Sequence, residues 1–354
     1  MSESRQNNFL NITAAIFLTG FSFFVLKELQ SILIPLFIAI IISFVFLPMY
    51  TFLVNKKIPA GVAVAIVILS IFFISNIAIL FIVKSVGAFS EQFPVYEKKF
   101  LFIYESIISR LNLSEIEAAG LTKSLDLKTL LMEGKFTSAI TGLFSGITAL
   151  LGNYILIIFY VIFLLSESKS IQQRILVAFP GKNEESMRKT FSDIFGGVRN
   201  YISGKTFLSF LQAVLIGTIL WICGVEFFFI WAFMFFLSDF IPNIGSLIVS
   251  VLIGIFMMLQ FESIIGPAVI LAVLILIQNL KGNILEPKIF GSRLDLSPLL
   301  LLLSLIFWGY IWGLTGMILS VPIMSMIKII LMNFPATKPI AILMSYNINT
   351  INKL

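Results

Sequence analysis

Residues 29–55 read LQSILIPLFIAIIISFVFLPMYTFLVN, and this stretch contains no charged side chain. The hydrocarbon core of a bilayer is about 30 Å thick, and about 20 apolar residues cross it as an α-helix that rises 1.5 Å per residue. The stretch is therefore long enough to cross a membrane once. Its length and composition predict a transmembrane helix rather than a buried helix of a soluble protein.

Other stretches of the chain also lack charged residues, and most have a similar length. They are residues 6–26, 58–83, 136–166, 206–225, 227–238, 240–261, 263–280 and 296–327. Of all residues, 59% are hydrophobic and 12% are charged, whereas soluble domains carry about 25% charged residues. The pattern predicts an all-α polytopic integral membrane protein of about eight hydrophobic units.

The residue inventory excludes several kinds of chemistry. Histidine is absent and cysteine occurs once, as Cys223. Histidine metal ligands and histidine general bases are therefore excluded, and any proton exchange falls to carboxylates. The sequence shows no His-Glu metal motif and no nucleophile–base pair, so we expect no metal, no cofactor and no enzyme activity.

One short motif resembles a nucleotide site. The tetrapeptide Ser203-Gly204-Lys205-Thr206 matches the end of a phosphate-binding loop, but Arg199 stands where that loop requires its first glycine. A strand should precede such a loop, and here an amphipathic helix precedes it. We therefore expect neither nucleotide nor nucleic acid as a partner, and interpret Lys205 as the cytoplasmic boundary of the next span.

Basic residues are distributed unevenly between the loops. With the N-terminus in the cytoplasm, most of the 24 lysines and arginines lie on the inner side, and most others fall in one long loop. Short loops rich in Lys and Arg remain in the cytoplasm, whereas long loops translocate largely regardless of charge. This bias predicts a multi-pass protein of the cell (plasma or inner) membrane with both termini in the cytoplasm.

Two segments between the apolar units are amphipathic. Apolar residues recur at helical spacing in residues 85–135, which predicts external helices that either offer a homo-oligomer contact or capture a substrate. Residues 167–205 carry an apolar stripe formed by Met187, Phe191, Ile194, Val198 and Tyr201. This cytoplasmic helical segment is expected either to rest on lipid headgroups or to pack under the bundle.

These segments give an expected organisation. In order, it comprises N-terminal membrane helices in 1–84 (about 9–26, 30–55 and 59–84), the external segment 85–135, a membrane helix at 136–166, the cytoplasmic segment 167–205, a C-terminal membrane core at 206–334 and a cytoplasmic tail at 335–354. The core is expected to contain helices at 206–225 and 263–281 and interrupted units at 227–261 and 298–334.

The two interrupted units are the most informative part of the core. Residues 239–245, DFIPNIG, follow a helical stretch too short to span; Pro242 removes a backbone donor and Gly245 permits a left-handed turn. Residues 298–334 are too long for one span. Both units predict broken helices or re-entrant hairpins, which recur at transporter sites. The alternatives are a surface turn for the first and an interfacial aromatic belt for the second.

Polar residues near these breaks are the candidates for a solute or ion pathway, because such groups are costly in lipid unless partnered or hydrated. The pathway candidates are Asp239, Pro242, Asn243, Gly245, Gln278, Asn279, Asn283 and Glu286. The candidate hinge or helix-break residues are Gly309, Gly313, Gly316 and Pro322. The Asn pair, spaced i,i+4, also fits helix–helix hydrogen bonding. Pro287 is expected to stop its helix, and Gln212 is interpreted as packing.

Taken together, the motifs resemble those of the autoinducer-2 exporter family of permeases. The matching stretches are residues 201–204 (YISG), 239–245 (DFIPNIG), 286–291 (EPKIFG), 296–298 (LSP), 312–316 (WGLTG) and 321–322 (VP), with looser agreement at Pro35, Pro48 and residues 57–59 (KIP). The resemblance covers nearly the whole chain. It implies an all-α membrane transporter without a nucleotide site, in a family whose members are assigned either autoinducer-2 export or sodium (lithium)/proton antiport.

Three functions from different classes follow as hypotheses. The first is a secondary transporter that exports a small polar solute such as autoinducer-2. The second is a monovalent cation/proton antiporter that uses Asp239 or Glu286 as the exchanging carboxylate. The third is a non-transporting membrane scaffold. We favour the first, with the lipid bilayer and a small polar solute or cation as partners.

Overall fold

The structure, a computed structural model, describes residues 13, 17, 20–110, 152–178, 184–241, 244–261, 263–290 and 296–346. Every regular element in these ranges is a helix, and the only β-type contact among them is an isolated bridge between Leu296 and Ser345. The expected all-α class is therefore confirmed for the described residues. The expected first span at 9–26 and the helix at 136–166 lie partly outside them.

In chain order, the described helices are α1 (Gln30–Asn55), α2 (Ala60–Arg110), α3 (Tyr154–Ala178), α4 (Glu184–Ile222), α5 (Phe228–Ser238), α6 (Ile244–Gln260), α7 (Ile265–Leu280), a π-helical turn (Lys281–Leu285), α8 (Glu286–Phe290), α9 (Pro298–Met332) and α10 (Lys338–Leu343). Residues 20–28, before α1, are also helical.

Five described helices are long and apolar enough to cross a bilayer. They are Gln30–Asn55, Ala60–Tyr96, Arg188–Ile222, Ile265–Phe290 and Pro298–Met332. Three shorter apolar helices accompany them, at Tyr154–Ser168, Phe228–Ser238 and Gly245–Gln260. In lipid every backbone polar group needs an internal partner, and helices provide one. The chain is therefore a multi-pass membrane protein.

Two helices run through boundaries that the sequence suggested. Helix α2 continues without interruption past residue 84, where the external segment was expected to begin, to Arg110; residues 111–135 lie outside the described part. Helix α4 likewise continues through residue 205. On α4 three residues of the predicted stripe, Ile194, Val198 and Tyr201, are buried, and Phe191 is half-buried. This part of the stripe therefore packs against protein rather than against lipid headgroups.

The chain divides into two compact units. The first combines the described residues of Met1–Val64, Asn153–Ile202 and Leu294–Leu354. Within it α1 packs along α3, and the aromatic side chains of Trp308 and Trp312 on α9 form an apolar cluster with Phe37 of α1. The indole Nε1 of Trp312 donates to the backbone oxygen of Leu26 at 2.9 Å, which fixes the ring despite its apolar surroundings.

The second unit combines the described residues of Ala65–Gly152 and Ser203–Arg293. Helices α5, α6 and α7 pack in sequence, and their core is rich in aromatic side chains. The ring of Tyr96 lies 5.0 Å from that of Phe256, and its hydroxyl donates to Glu226 Oε2 at 2.6 Å. The amide of Gln260 pairs with Glu226 N and Gly224 O. These bonds tie α2 and α6 to the α4–α5 connection.

The substitution Tyr96→Phe tests this tie. It removes only the hydroxyl, so the ring packing remains and the bond to the Glu226 carboxylate is lost. We expect a loss of about 1 kcal/mol in the free energy of unfolding, the value of an ordinary hydrogen bond and less than that of a buried bond to a charged group, because Glu226 is exposed. Thermal unfolding in detergent measures the change. Tyr310→Phe, at a side chain that is 80% exposed, is the control, and equal melting temperatures would contradict the tie.

Candidate functional site

The DFIPNIG motif lies between two helices, α5 and α6, that pack against each other. Helix α5 ends at Ser238, backbone turns continue to Ile241, and α6 begins at Ile244. A Cβ at Gly245 would overlap the carbonyl oxygen of Ser238 and lie 3.0 Å from the Cβ of Ile241. Pro242 and Asn243 lie outside the described residues. The first turn of α6 therefore packs directly on the end of α5.

The reason for Gly245 differs from the expected one. The sequence suggested a left-handed turn, but Gly245 lies inside α6 and does not have a positive φ. The position requires glycine because a side chain would collide with the backbone of the preceding helix. Close approach, rather than conformational freedom, explains the residue.

The second interrupted unit is a single long helix with one break. Within α9 only Gly313 departs from helical geometry, with φ 61° and ψ −145°. A Cβ at Gly316 would overlap the carbonyl oxygen of Trp308, and one at Gly309 would lie 2.8 Å from Met317 Cε. Pro322 is buried in the arm after the break. The break thus lies at Gly313, and the two flanking glycines let the arms approach closely.

Four charged side chains and one hydroxyl meet at the end of α5. The Asp239 carboxylate oxygen Oδ2 lies 3.1 Å from Lys205 Nζ, pairs with Lys281 Nζ and accepts a hydrogen bond from Ser209 Oγ. Glu286 Oε1 lies 2.8 Å from Lys205 Nζ and 3.3 Å from Lys281 Nζ. We call these five residues the ion cluster. Each lysine bridges the two carboxylates.

The elements that carry the ion cluster explain how it forms. Lys205 and Ser209 are four residues apart on α4 and so share one face. The π-helical turn begins at Lys281, and the amide of Glu286 donates to the Lys281 carbonyl oxygen. This wider turn brings Lys281 and Glu286 to the same side of the helix. Single π turns are rare in helices and frequently occur at functional sites.

The same turn corrects an expectation about Pro287. The sequence predicted that this proline would stop the helix, but the helix continues through it to Phe290. Proline has no amide hydrogen for an i→i−4 bond and its ring crowds the preceding turn. The π-helical turn directly before it changes the hydrogen-bond register, and a helix can continue through such a rearrangement.

Burial determines the electrostatics of the ion cluster. Lys281 is 4% exposed and Lys205 is 9% exposed, so neither ammonium group is solvated by bulk water. Buried charges are tolerated only when they are paired and hydrogen-bonded. Two lysines and two carboxylates give the cluster no formal net charge. Removal of Asp239, Lys205 or Lys281 therefore leaves a buried charge without its full set of partners, whereas Glu286, with a side chain that is 29% exposed, is partly solvated.

The other predicted polar residues lie elsewhere on the same helices. Gln278 Nε2 donates to Ser250 Oγ at 2.9 Å and so links α7 to α6. Asn283 Nδ2 lies 3.4 Å from Asn279 Oδ1, and both side chains are exposed. Of the eight pathway candidates, the ion cluster brings together Asp239 and Glu286.

Sequence reasoning missed Lys205, Ser209 and Lys281. Lys205 was interpreted as a span boundary, and Lys281 was only part of the inner positive charge. One signal was available: Lys205, Ser209 and Gln212 recur at i, i+4 and i+7 in α4, which places polar side chains on one face of an apolar helix. Among the described residues, no group of three or more acidic, cysteine or histidine side chains could hold a metal ion.

Comparisons with known proteins agree with this architecture. The profile of the AI-2E family transporter matches residues 12–336. The AI-2 transport protein TqsA of Escherichia coli is 28% identical over 323 residues, which are 89% of this chain and 89% of TqsA. A Borreliella burgdorferi protein, whose name gives transport but no solute, is 29% identical over 310 residues, 87% of this chain and 83% of that protein. The family match spans nearly all the membrane helices, and the chain belongs to the AI-2E family of transporters.

Proposed function

We propose that this protein is a secondary transporter that exports a small polar solute of the autoinducer-2 type, with residues 206–334 as its transport core. The observation that carries the proposal is the buried ion cluster at the DFIPNIG break. Interrupted helices with polar side chains at membrane depth are a recurrent way to build solute sites in transporters. The name of TqsA, a relative of similar length, supports autoinducer-2 as the first solute to test.

The charge balance of the ion cluster favours an uncharged solute. Lys205 and Ser209 donate hydrogen bonds to the carboxylates, and Lys281 forms ion pairs with both of them, so a solute with hydroxyl groups can exchange with these internal pairs. A monovalent cation would instead add a charge to a balanced site. It would also compete with two ammonium groups that already hold both carboxylates.

A sodium (lithium)/proton antiporter is the second candidate function. The observation that favours it is the pair of carboxylates, Asp239 and Glu286, bridged by the same lysines. In that mechanism a carboxylate would release a proton when it binds the cation, which restores the charge balance.

We place the protein in the inner membrane with both termini in the cytoplasm, as a homo-oligomer.

Flux in proteoliposomes tests the proposal. We expect the wild-type protein to transport autoinducer-2. The flux through Asp239→Asn should be at least about tenfold lower, because the Asp239 carboxylate pairs with both lysines. Asp193→Asn, at an exposed carboxylate of α4, is the matched control and should retain wild-type flux. Sodium flux that depends on a pH gradient, without autoinducer-2 flux, would replace the proposal with antiport. Flux of neither would favour the scaffold.

A further inference from the structure

The polar face of α4 extends one turn beyond the ion cluster. Lys205, Ser209 and Gln212 lie on this face and are 9%, 0% and 4% exposed. The next residues along it, Ile216 and Leu220, are fully buried and apolar. On this face of α4, Gln212 is therefore the last polar side chain before the apolar core of the second unit.

The Gln212 side chain is buried without a partner for its carbonyl oxygen. Within the described part of the chain, no donor forms a hydrogen bond with Oε1 of Gln212. Two other glutamines of this unit behave differently: Gln278 forms a hydrogen bond with Ser250, and Gln260 forms hydrogen bonds with Gly224 and Glu226. Buried polar atoms are nearly always paired, so an unpaired amide oxygen calls for a ligand, a water or another function.

Helix geometry places the Gln212 side chain next to the turn of α4 that carries Ser209. Side chains on an α-helix lean toward its N-terminus, over the preceding turn. For Gln212 the preceding turn carries Ser209, whose hydroxyl bonds Asp239. The amide of Gln212 therefore lies on the same face of α4 as Ser209, one turn further along the helix. The hydroxyl of Thr206, three residues before Ser209, is also buried and unpaired among the described residues.

We propose that Gln212 binds the transported solute beside the ion cluster, where its Oε1 accepts a hydrogen bond from a hydroxyl group of that solute. The inference rests on the proposed function and names a specificity-determining contact within it. A hydroxyl-bearing solute suits this position because a hydroxyl can donate to Gln212 and accept from a lysine at once. A cation suits it less well, because the ammonium groups of Lys205 and Lys281 repel it.

Two measurements on Gln212→Met test the contact. Methionine keeps the length of the side chain and removes its amide. Because an unpaired buried group is replaced by an apolar one, we expect the melting temperature of the solute-free protein to stay equal or rise. The autoinducer-2 concentration that gives half-maximal flux should increase about threefold to tenfold, which corresponds to the free energy of one neutral hydrogen bond. Thr218→Val, on the exposed face of α4, is the matched control.

The outcomes separate this contact from the proposed function. A melting temperature several degrees below that of Thr218→Val would show that the amide has a structural partner and would overturn the contact. Autoinducer-2 flux with an unchanged half-saturating concentration would also overturn it, while leaving the proposed function intact. A wild type that carries sodium but not autoinducer-2 would overturn the proposed function, and with it the hydroxyl donor assigned to Gln212.

Discussion

The substitution Lys281→Met is expected to lower the free energy of unfolding by about 3–5 kcal/mol, the cost of breaking a buried ion pair by removing one partner. Lys281 is 4% exposed and bridges Asp239 to Glu286. Without its ammonium group, one lysine faces two carboxylates in a buried site. The excess negative charge can be relieved only by proton uptake or by local opening of the helices.

A second substitution should recover most of the lost stability. In the double variant Lys281→Met/Glu286→Gln the cluster keeps one lysine and one carboxylate, so the charges balance again. Thermal and chemical unfolding in detergent measure both variants, with Lys288→Met as the control because Lys288 is exposed on the neighbouring helix α8. A single variant as stable as Lys288→Met would show that the lysine is not held in a buried ion pair.

The substitution Gly316→Ala has the second large expected effect. Its Cβ would overlap the carbonyl oxygen of Trp308 and lie 2.9 Å from the Cβ of Trp312. The obstacle is backbone, so no rotamer change can relieve it, and the two arms of α9 must separate. We expect a loss of about 3 kcal/mol or more, above the usual range for overpacking by one methyl group.

The control for this substitution is Gly266→Ala. Nothing lies within 4 Å of a Cβ at Gly266 in α7, and alanine favours a helix over glycine by up to about 1 kcal/mol. Size-exclusion chromatography and thermal unfolding report the folded fraction of each variant. A Gly316→Ala protein that elutes and melts like the control would mean that the arms do not pack as closely as described.

The membrane helices were predictable because the signal is local. A helix that crosses lipid needs only a run of apolar residues of sufficient length, and residues 29–55 and 298–334 provide it without reference to the rest of the chain. The positions of both breaks were also accessible, because Pro242 and Gly313 disfavour a regular helix on their own. The sequence alone could not show which parts of the chain pack against these residues.

The ion cluster depends on contacts between distant parts of the chain. The sequence made Asp239 a pathway candidate because it is a carboxylate within an apolar region. Glu286 was a candidate because it belongs to a group of polar residues at the end of a predicted helix. Lys205 and Lys281, by contrast, look like ordinary charges at span ends until the fold brings them to the same carboxylate. The π-helical turn that places Lys281 beside Glu286 has no signature in the sequence, apart from the proline that follows it.

Glycines show the same limit. The sequence pointed to Gly245 for its backbone freedom, whereas the structure shows its close contact with the backbone of Ser238. The equivalent contact at Gly316 involves Trp308, eight residues earlier across the break at Gly313. A sequence pattern marks where a helix is weak, whereas close approach of two backbone segments is a property of the packed structure.

Autoinducer-2 flux through the double variant Lys281→Met/Glu286→Gln tests most directly whether the ion cluster serves transport or only the fold. This variant is expected to be folded and charge-balanced, so any defect is in the site itself. With equal amounts of protein in proteoliposomes, we expect flux below about one tenth of the wild-type rate, because half of the charged groups in the site are gone. Flux equal to that of the wild type would contradict the assignment of the ion cluster as the transport site.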